Sequence, residues 1–266
     1  MKTIINKPGY KKNMSSFGKK GQVTIFIIVA LVIVAILLII FLYPRFNTTT
    51  QEAFSPNAFL SSCIEPQLRP VIAQLAMHGG YLTPEGTVKF KDQNVKYLCY
   101  TSGYYTPCLD QQPMIKENFE NNLAGFVNRE VSQCVDDLKA EYEKQQYIVT
   151  LGQVSSNVSI TSGNINIKIN APMTVTKESS QDFKHFDINI KSQMYDLIMI
   201  SSSIVEFEAT YGNAETTLYM QYYPDLKIQK TQLSDGTRIY EVNDVVTNET
   251  FTFASRSVAW PPGYGA

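Results

Sequence analysis

The stretch YIVTLGQVSSNVSITSGNINIKIN, residues 147–170, is where the apolar residues of this chain change period. Val158 and Ile160, then Ile165, Ile167 and Ile169, alternate with polar residues. That pattern puts every apolar side chain on one face of a strand and every polar one on the other. Ser162-Gly163-Asn164 lies between the two runs and predicts a hairpin turn. Immediately before this stretch the period is helical: Ile115, Phe119, Leu123, Phe126, Val127, Val131, Val135, Leu138 and Tyr142 predict one long helix opening at Pro113. Past it, Val175, Ile188 and Ile190 continue the strand pattern. Residues 191–213 then interrupt with an amphipathic helix carrying Met194, Leu197, Ile198, Ile204, Val205 and Phe207. Strands are expected again at 226–233, 237–242 and 250–258, with Asp235-Gly236 as a two-residue turn. Helices first and a mostly antiparallel sheet second, with one inserted helix, make the fold class α+β.

Working back toward the N-terminus, Ser55-Pro56 reads as an N-cap followed by proline at the first helical position. Ile64, Leu68, Val71 and Leu75 give the helix after it an apolar face. Pro66 and Pro70 should divide this stretch into a short helix to about Glu65 and a second ending before Gly79-Gly80. His78, one residue before those glycines, stands where a helix C-terminus favours a cation. The organisation that follows is a helical, cysteine-containing region over 55–146, a β-rich region over 147–259 and an irregular tail over 260–266.

All four cysteines lie in the first of these regions. Cys99 and Cys108 flank a short segment containing Gly103 and Pro107 and can close a local loop. Cys134 shares a helical face with Val131 and Leu138, and Cys63 adjoins Ile64 on the first apolar stripe, so the second pair would tie the two helical regions together. On the chain-entropy account the local bridge contributes about 2.7 kcal/mol and the long one about 4.4 kcal/mol. The spacings do not suit zinc, whose structural sites pair cysteines two to four residues apart.

Residues 23–43 are a different kind of sequence. Val23 to Tyr43 holds one polar side chain, Thr24, before Tyr43 itself, and as a helix would span roughly 31 Å, close to the hydrocarbon thickness of a bilayer. Lys2, Lys7, Lys11, Lys12, Lys19 and Lys20 precede it, and the first acid is Glu52. The positive-inside rule therefore expects a single-pass protein with residues 1–22 cytoplasmic, 23–43 in the membrane and everything after the stalk at 44–54 outside the cell. Disulfides in that outer part agree with an oxidising compartment. With the six lysines set aside, 17 basic residues face 24 acids. That surplus of negative charge argues against a nucleic-acid partner.

Lys19-Lys20-Gly21-Gln22 abutting the apolar run resembles the class III signal of archaeal type IV pilin-like proteins. The resemblance implies that a prepilin-type peptidase cuts between Gly21 and Gln22 and that the product assembles into a filament. Phe26 stands where many pilins have Glu, and Pro44 follows the apolar run where pilins continue their helix. Both departures favour a retained anchor with a tether over a filament subunit. The segment from Cys63 to Leu75-Ala-Met-His-Gly-Gly-Tyr81 is also similar to uncharacterised membrane-anchored surface proteins of small-genome archaea. That similarity implies a place at the cell surface and no reaction.

Chemistry is sparse in the sequence. His78 and His185 are the only histidines, and neither belongs to a metal-binding motif. No catalytic residue, cofactor site or metal site is assigned. Acids such as Asp136 with Asp137 and Glu206 with Glu208 are expected on solvated helix surfaces. Asn47, Asn157 and Asn248 begin N-x-S/T sequons at about the frequency chance supplies, which permits glycosylation without arguing for it. The segment Tyr97-Leu-Cys-Tyr-Thr-Ser-Gly-Tyr-Tyr-Thr-Pro-Cys108 stands out: Tyr100, Tyr104 and Tyr105 within a disulfide-closed loop are candidates for contact with a protein or glycan partner. The alternative is that the rings pack over the disulfide. Tyr222-Tyr223-Pro224 carries the same ambiguity. The expected function is surface interaction or envelope structure. A pilin-like subunit is the alternative, and a membrane-tethered hydrolase is a third reading.

Overall fold

The computed structural model describes residues 21–42 and 54–261 and divides the chain between Phe54 and Ser55 into two units. Residues 1–20 of the expected cytoplasmic segment, most of the expected stalk, Asn47 and the last residues of the tail lie outside the described residues.

The first unit contains α1, Gly21–Leu42, a helix of 22 residues with no charged side chain in its sequence. Between Phe26 and Leu37, where its side chains are described, apolar groups are exposed all round, from Phe26 at 69% to Leu37 at 52%. Among the residues whose side chains are described, no helix is long and apolar enough to cross a membrane.

The second unit begins with α2, Pro56–Met77. Ser55 caps it as expected, its hydroxyl accepting from the Ala58 N–H at 3.3 Å with proline in the first turn. The helix does not divide at its prolines: Pro66 and Pro70 both lie inside it. Each proline removes one backbone hydrogen bond, but both sit on the exposed face. On the opposite face Leu60, Ile64, Leu68, Ile72 and Leu75 are buried in unbroken phase, with Ile72 in place of the expected Val71. Burial of five large side chains at roughly 1.5–3 kcal/mol each outweighs two prolines at about 3 kcal/mol each. Helix α3, Ile115–Lys144, is the long helix the periodicity predicts. It packs against α2, and Cys63–Cys134 joins them with Cα atoms 6.0 Å apart.

The segment between these helices, assigned to a helical region on sequence, forms strands: β1 (Thr87–Phe90), β2 (Gln93–Tyr100) and β3 (Leu109–Asp110). Their apolar and polar residues do not alternate cleanly, so no period identifies them. β1 and β3 each pair with β2, and β2 in turn pairs with the distant β10. After α3 come β4 (Ile148–Leu151), β5 (Ser155–Thr161), β6 (Asn164–Thr176) and β7 (Ser180–Lys191). Next are α4 (Met194–Thr210) and a short α5 (Thr217–Tyr222) that the sequence reading did not anticipate, then β8 (Leu226–Gln232), β9 (Arg238–Asp244) and β10 (Thr250–Arg256).

Among the described residues there are two sheets rather than one. The smaller holds β4, β5 and β7 around β6, all antiparallel. The larger runs β1-β2-β10-β9-β8, with β3 on β2; its one parallel pairing is β2 with β10. Helix α2 packs on β10 of the larger sheet and β7 of the smaller, and α4 likewise touches both. The α+β class and the mostly antiparallel pairing are as expected. The β5–β6 turn is Ser162-Gly163, with Gly163 at φ 76°. The β8–β9 turn has three residues instead of two, because Leu233 N–H already bonds to Thr237 C=O at 2.7 Å around Ser234-Asp235-Gly236.

The exposed position of Pro70 yields a prediction. Pro70→Ala restores one helix hydrogen bond and loses no core contact. It should raise the unfolding free energy of residues 55–266 by about 1–2 kcal/mol, after allowing for a looser unfolded chain. Urea titration measures this; a fall in stability would show that the proline ring packs.

Candidate functional site

Helix α4 ends with a residue that the sequence placed in solvent. Glu206 is exposed, but Glu208 is 0% exposed. Its carboxylate accepts from the backbone N–H of Asn213 at 3.1 Å and of Ala214 at 2.9 Å, from Arg238 Nη1 at 3.1 Å, from Ser255 Oγ at 3.2 Å and from the Tyr240 hydroxyl. A buried carboxylate is tolerated only when its lone pairs are satisfied, and five donors achieve that. The turn supplying two of them requires Gly212, at φ 71°, where a Cβ would lie 2.5 Å from Val258 Cγ2. Arg238, itself buried, also donates to the carbonyls of Ser257 and Val258, each at 3.1 Å. Ser257 Oγ donates to the Glu208 carbonyl at 2.8 Å and accepts the Cys108 N–H at 3.0 Å. Tyr240 is pushed far above its ordinary value, first by burial and then by the adjacent Glu208 carboxylate. The network is sealed from solvent, and its role is to lock α4, β9 and β10 together and hold Cys108 in place.

Cys108 is one end of the tyrosine loop. The Cys99–Cys108 bridge forms with Cα atoms 5.4 Å apart, and both cysteines are buried while the loop between them is not. Tyr100 is 40% exposed, Tyr104 41% and Tyr105 53%. The loop is held from beneath by Arg256, 8% exposed, which donates to the carbonyls of Thr101 and Asp235 and lies 5.4 Å from the Tyr104 ring. Thr101 N–H bonds to Arg256 C=O at 3.0 Å and Tyr105 N–H to Ala259 C=O at 3.2 Å. Tyr105 adopts φ 58°, a left-handed conformation rare for a bulky residue and kept only where surroundings dictate it. Its ring meets Trp260 edge-on at 5.1 Å, and Trp260 is 61% exposed. Beneath, the Tyr97 ring contacts Tyr100 edge-on at 5.0 Å and its hydroxyl meets Thr237 Oγ1 at 2.8 Å. Burial raises the Tyr97 phenol. The result is a fixed aromatic surface with large rings open to solvent.

Sequence reading located the three tyrosines but not Arg256 or Trp260, which come from 150 residues later and join through the β2–β10 pairing. Trp260, the first residue of the expected irregular tail, belongs to this surface. A second aromatic surface forms around α5, where Tyr222 is 80% and Tyr223 55% exposed; they line a hollow of about 480 Å³ with Phe207 and Leu218. Unlike the first, it has no disulfide beneath it. Gly21 and Gln22 open α1. His78 caps the C-terminus of α2, and His185 is exposed on β7. Among the described residues no cluster of His, Cys, Asp and Glu could hold a metal ion. No family model matches the chain, and neither curated proteins nor solved structures give a match.

The raised Tyr240 phenol sets a pH dependence. The folded state keeps this proton above the pH at which an unfolded tyrosine loses it, near 10. Stability is therefore full below about pH 10 and falls above it by about 1.4 kcal/mol per pH unit. In denaturant titrations between pH 9 and 11.5, Tyr240→Phe should lessen the slope of the parent chain by about 1.4 kcal/mol per pH unit, leaving only what the raised Tyr81, Tyr97 and Tyr142 phenols contribute; an unchanged slope would assign the loss to other groups.

Proposed function

We propose that this protein is anchored in a membrane by α1, with its N-terminus in the cytoplasm and its disulfide-bonded domain outside the cell, where the aromatic loop contacts a surface partner. The observation that carries the reading is the contrast on either side of α1. An uncharged helix of 22 residues, about 33 Å long, has six lysines and no acid before it and both disulfides after it. A bilayer suits a helix of this length that is apolar all round between Phe26 and Leu37, and an oxidising compartment favours cysteines paired in this way. Helix α2 opens on its own cap at Ser55, in extended conformation. That favours anchor and tether over one helix running from membrane to domain, the arrangement a filament subunit would use.

The partner-contact part of the reading draws on the loop. Tyrosine and tryptophan give large contact area for little side-chain entropy, and a disulfide-closed, arginine-clamped loop has little freedom left to lose on binding. Partner contact needs exposed rings that the fold can spare.

Two measurements test these two parts. Protease added outside intact cells should digest the domain beyond α1, and protection of the domain would reverse the topology. Replacing Tyr104 and Tyr105 by Ser should weaken association of the isolated domain with the cell envelope by tenfold or more while its thermal midpoint stays within a few degrees. A drop of several kcal/mol in stability would instead make those rings part of the core.

A further inference from the structure

The β9–β10 turn carries a motif that the proposed surface role leaves unused. Asn248-Glu249-Thr250 is an N-x-S/T sequon, and Asn248 is exposed at the turn with φ 60°. The turn is built without its carboxamide. Asp244 accepts from Val246 N–H at 3.1 Å and Thr247 N–H at 2.7 Å, and Asn248 N–H bonds to Asp244 C=O at 2.8 Å. Glu249 points inward, its carboxylate accepting from Ser192 Oγ at 2.7 Å. Thr250 Oγ1 accepts from Asn243 Nδ2 at 2.9 Å, which leaves its hydrogen to be donated.

The surroundings suit an attached group. A hollow of about 320 Å³ opens beside Asn248, lined by apolar Ile72, Ala73 and Met77 and by the basic Arg69 and Lys191. That is within the range of small-molecule sites, which begins at roughly 300 Å³. In the same turn Val245 is 51% and Val246 73% exposed, apolar surface that nothing among the described residues covers.

We propose that Asn248 is the acceptor of an N-linked glycan whose first sugars lie over this hollow. The donor class is an oligosaccharide activated as a lipid-linked diphosphate. Asn248 Nδ2 forms a bond to the anomeric carbon as the bond from that carbon to the diphosphate oxygen breaks. The diphosphate leaves with the electron pair, and one amide proton passes to a base on the transferase. Asn157-Val158-Ser159 is the internal contrast. It lies within β5, paired with β6 along its length, and Val158 is 6% exposed in the core. Presenting that sequon would pull a strand from its sheet.

This inference rests on the domain being outside the cell, and the test separates the two. The full chain is recovered from the membranes of the cells that make it, digested with trypsin and mapped by mass. The peptide 239–256 should carry a sugar mass in most molecules, and the peptide 145–168, containing Asn157, should carry none. Asn248→Gln and Thr250→Ala should abolish the modification, and Thr250→Ser should retain part of it. If 239–256 is unmodified although both disulfides are formed and the domain is open to external protease, the glycan proposal alone fails. If the cysteines are reduced and the domain is protected, the topology fails and takes the glycan with it.

Discussion

Five hydrogen-bond donors converge on one carboxylate, that of Glu208, and tie the end of α4 and the turn after it to the paired strands β9 and β10. A carboxylate out of contact with water is among the most unfavourable groups to bury, so the conformation that satisfies it is strongly selected over those that do not. The donors come from the turn after α4, from β9 and from β10. Through Ser257 the same network reaches Cys108. The position of the aromatic loop at the surface is thus fixed by a charge at the centre of the domain, and the side chains that fix it are not those that would touch a partner.

The parts of this fold that depend on repetition could be read from sequence. Helix α3, the β5–β6 hairpin, α4 and the last three strands each carry enough apolar residues at one period to identify themselves. The disulfide pairing was legible for the same reason, since two cysteines sat on two apolar helical faces. What escaped was set by tertiary context. Pro66 and Pro70 favoured a break, and only the buried stripe on the far side of α2 kept the helix whole. Strands β1 to β3 have no clear alternation; β1 and β3 pair only with β2, and β2 is tied into the larger sheet by β10 alongside it.

The surface followed the same rule. Tyr100, Tyr104 and Tyr105 could be singled out because the two cysteines around them announce a constrained loop. Arg256 and Trp260 could not, because nothing local distinguishes an arginine that clamps a loop from one that faces water. Glu208 was misplaced for a related reason. Beside Glu206 on an amphipathic helix, a second glutamate looks solvated, and the donors that justify its burial lie up to 47 residues away.

The position of β10 has a consequence for how the domain comes into being. It is buried along nearly its whole length and sits between β2 and β9, so the larger sheet is two separate pieces until residues 250–256 arrive. Pairing β2 with β10 closes a loop of some 150 residues, the kind of non-local step that slows folding. During synthesis nearly the whole domain must be made before its central strand exists. Until that strand is made, β2 and β9 each keep a row of unpaired backbone groups along the edge that residues 250–256 later cover.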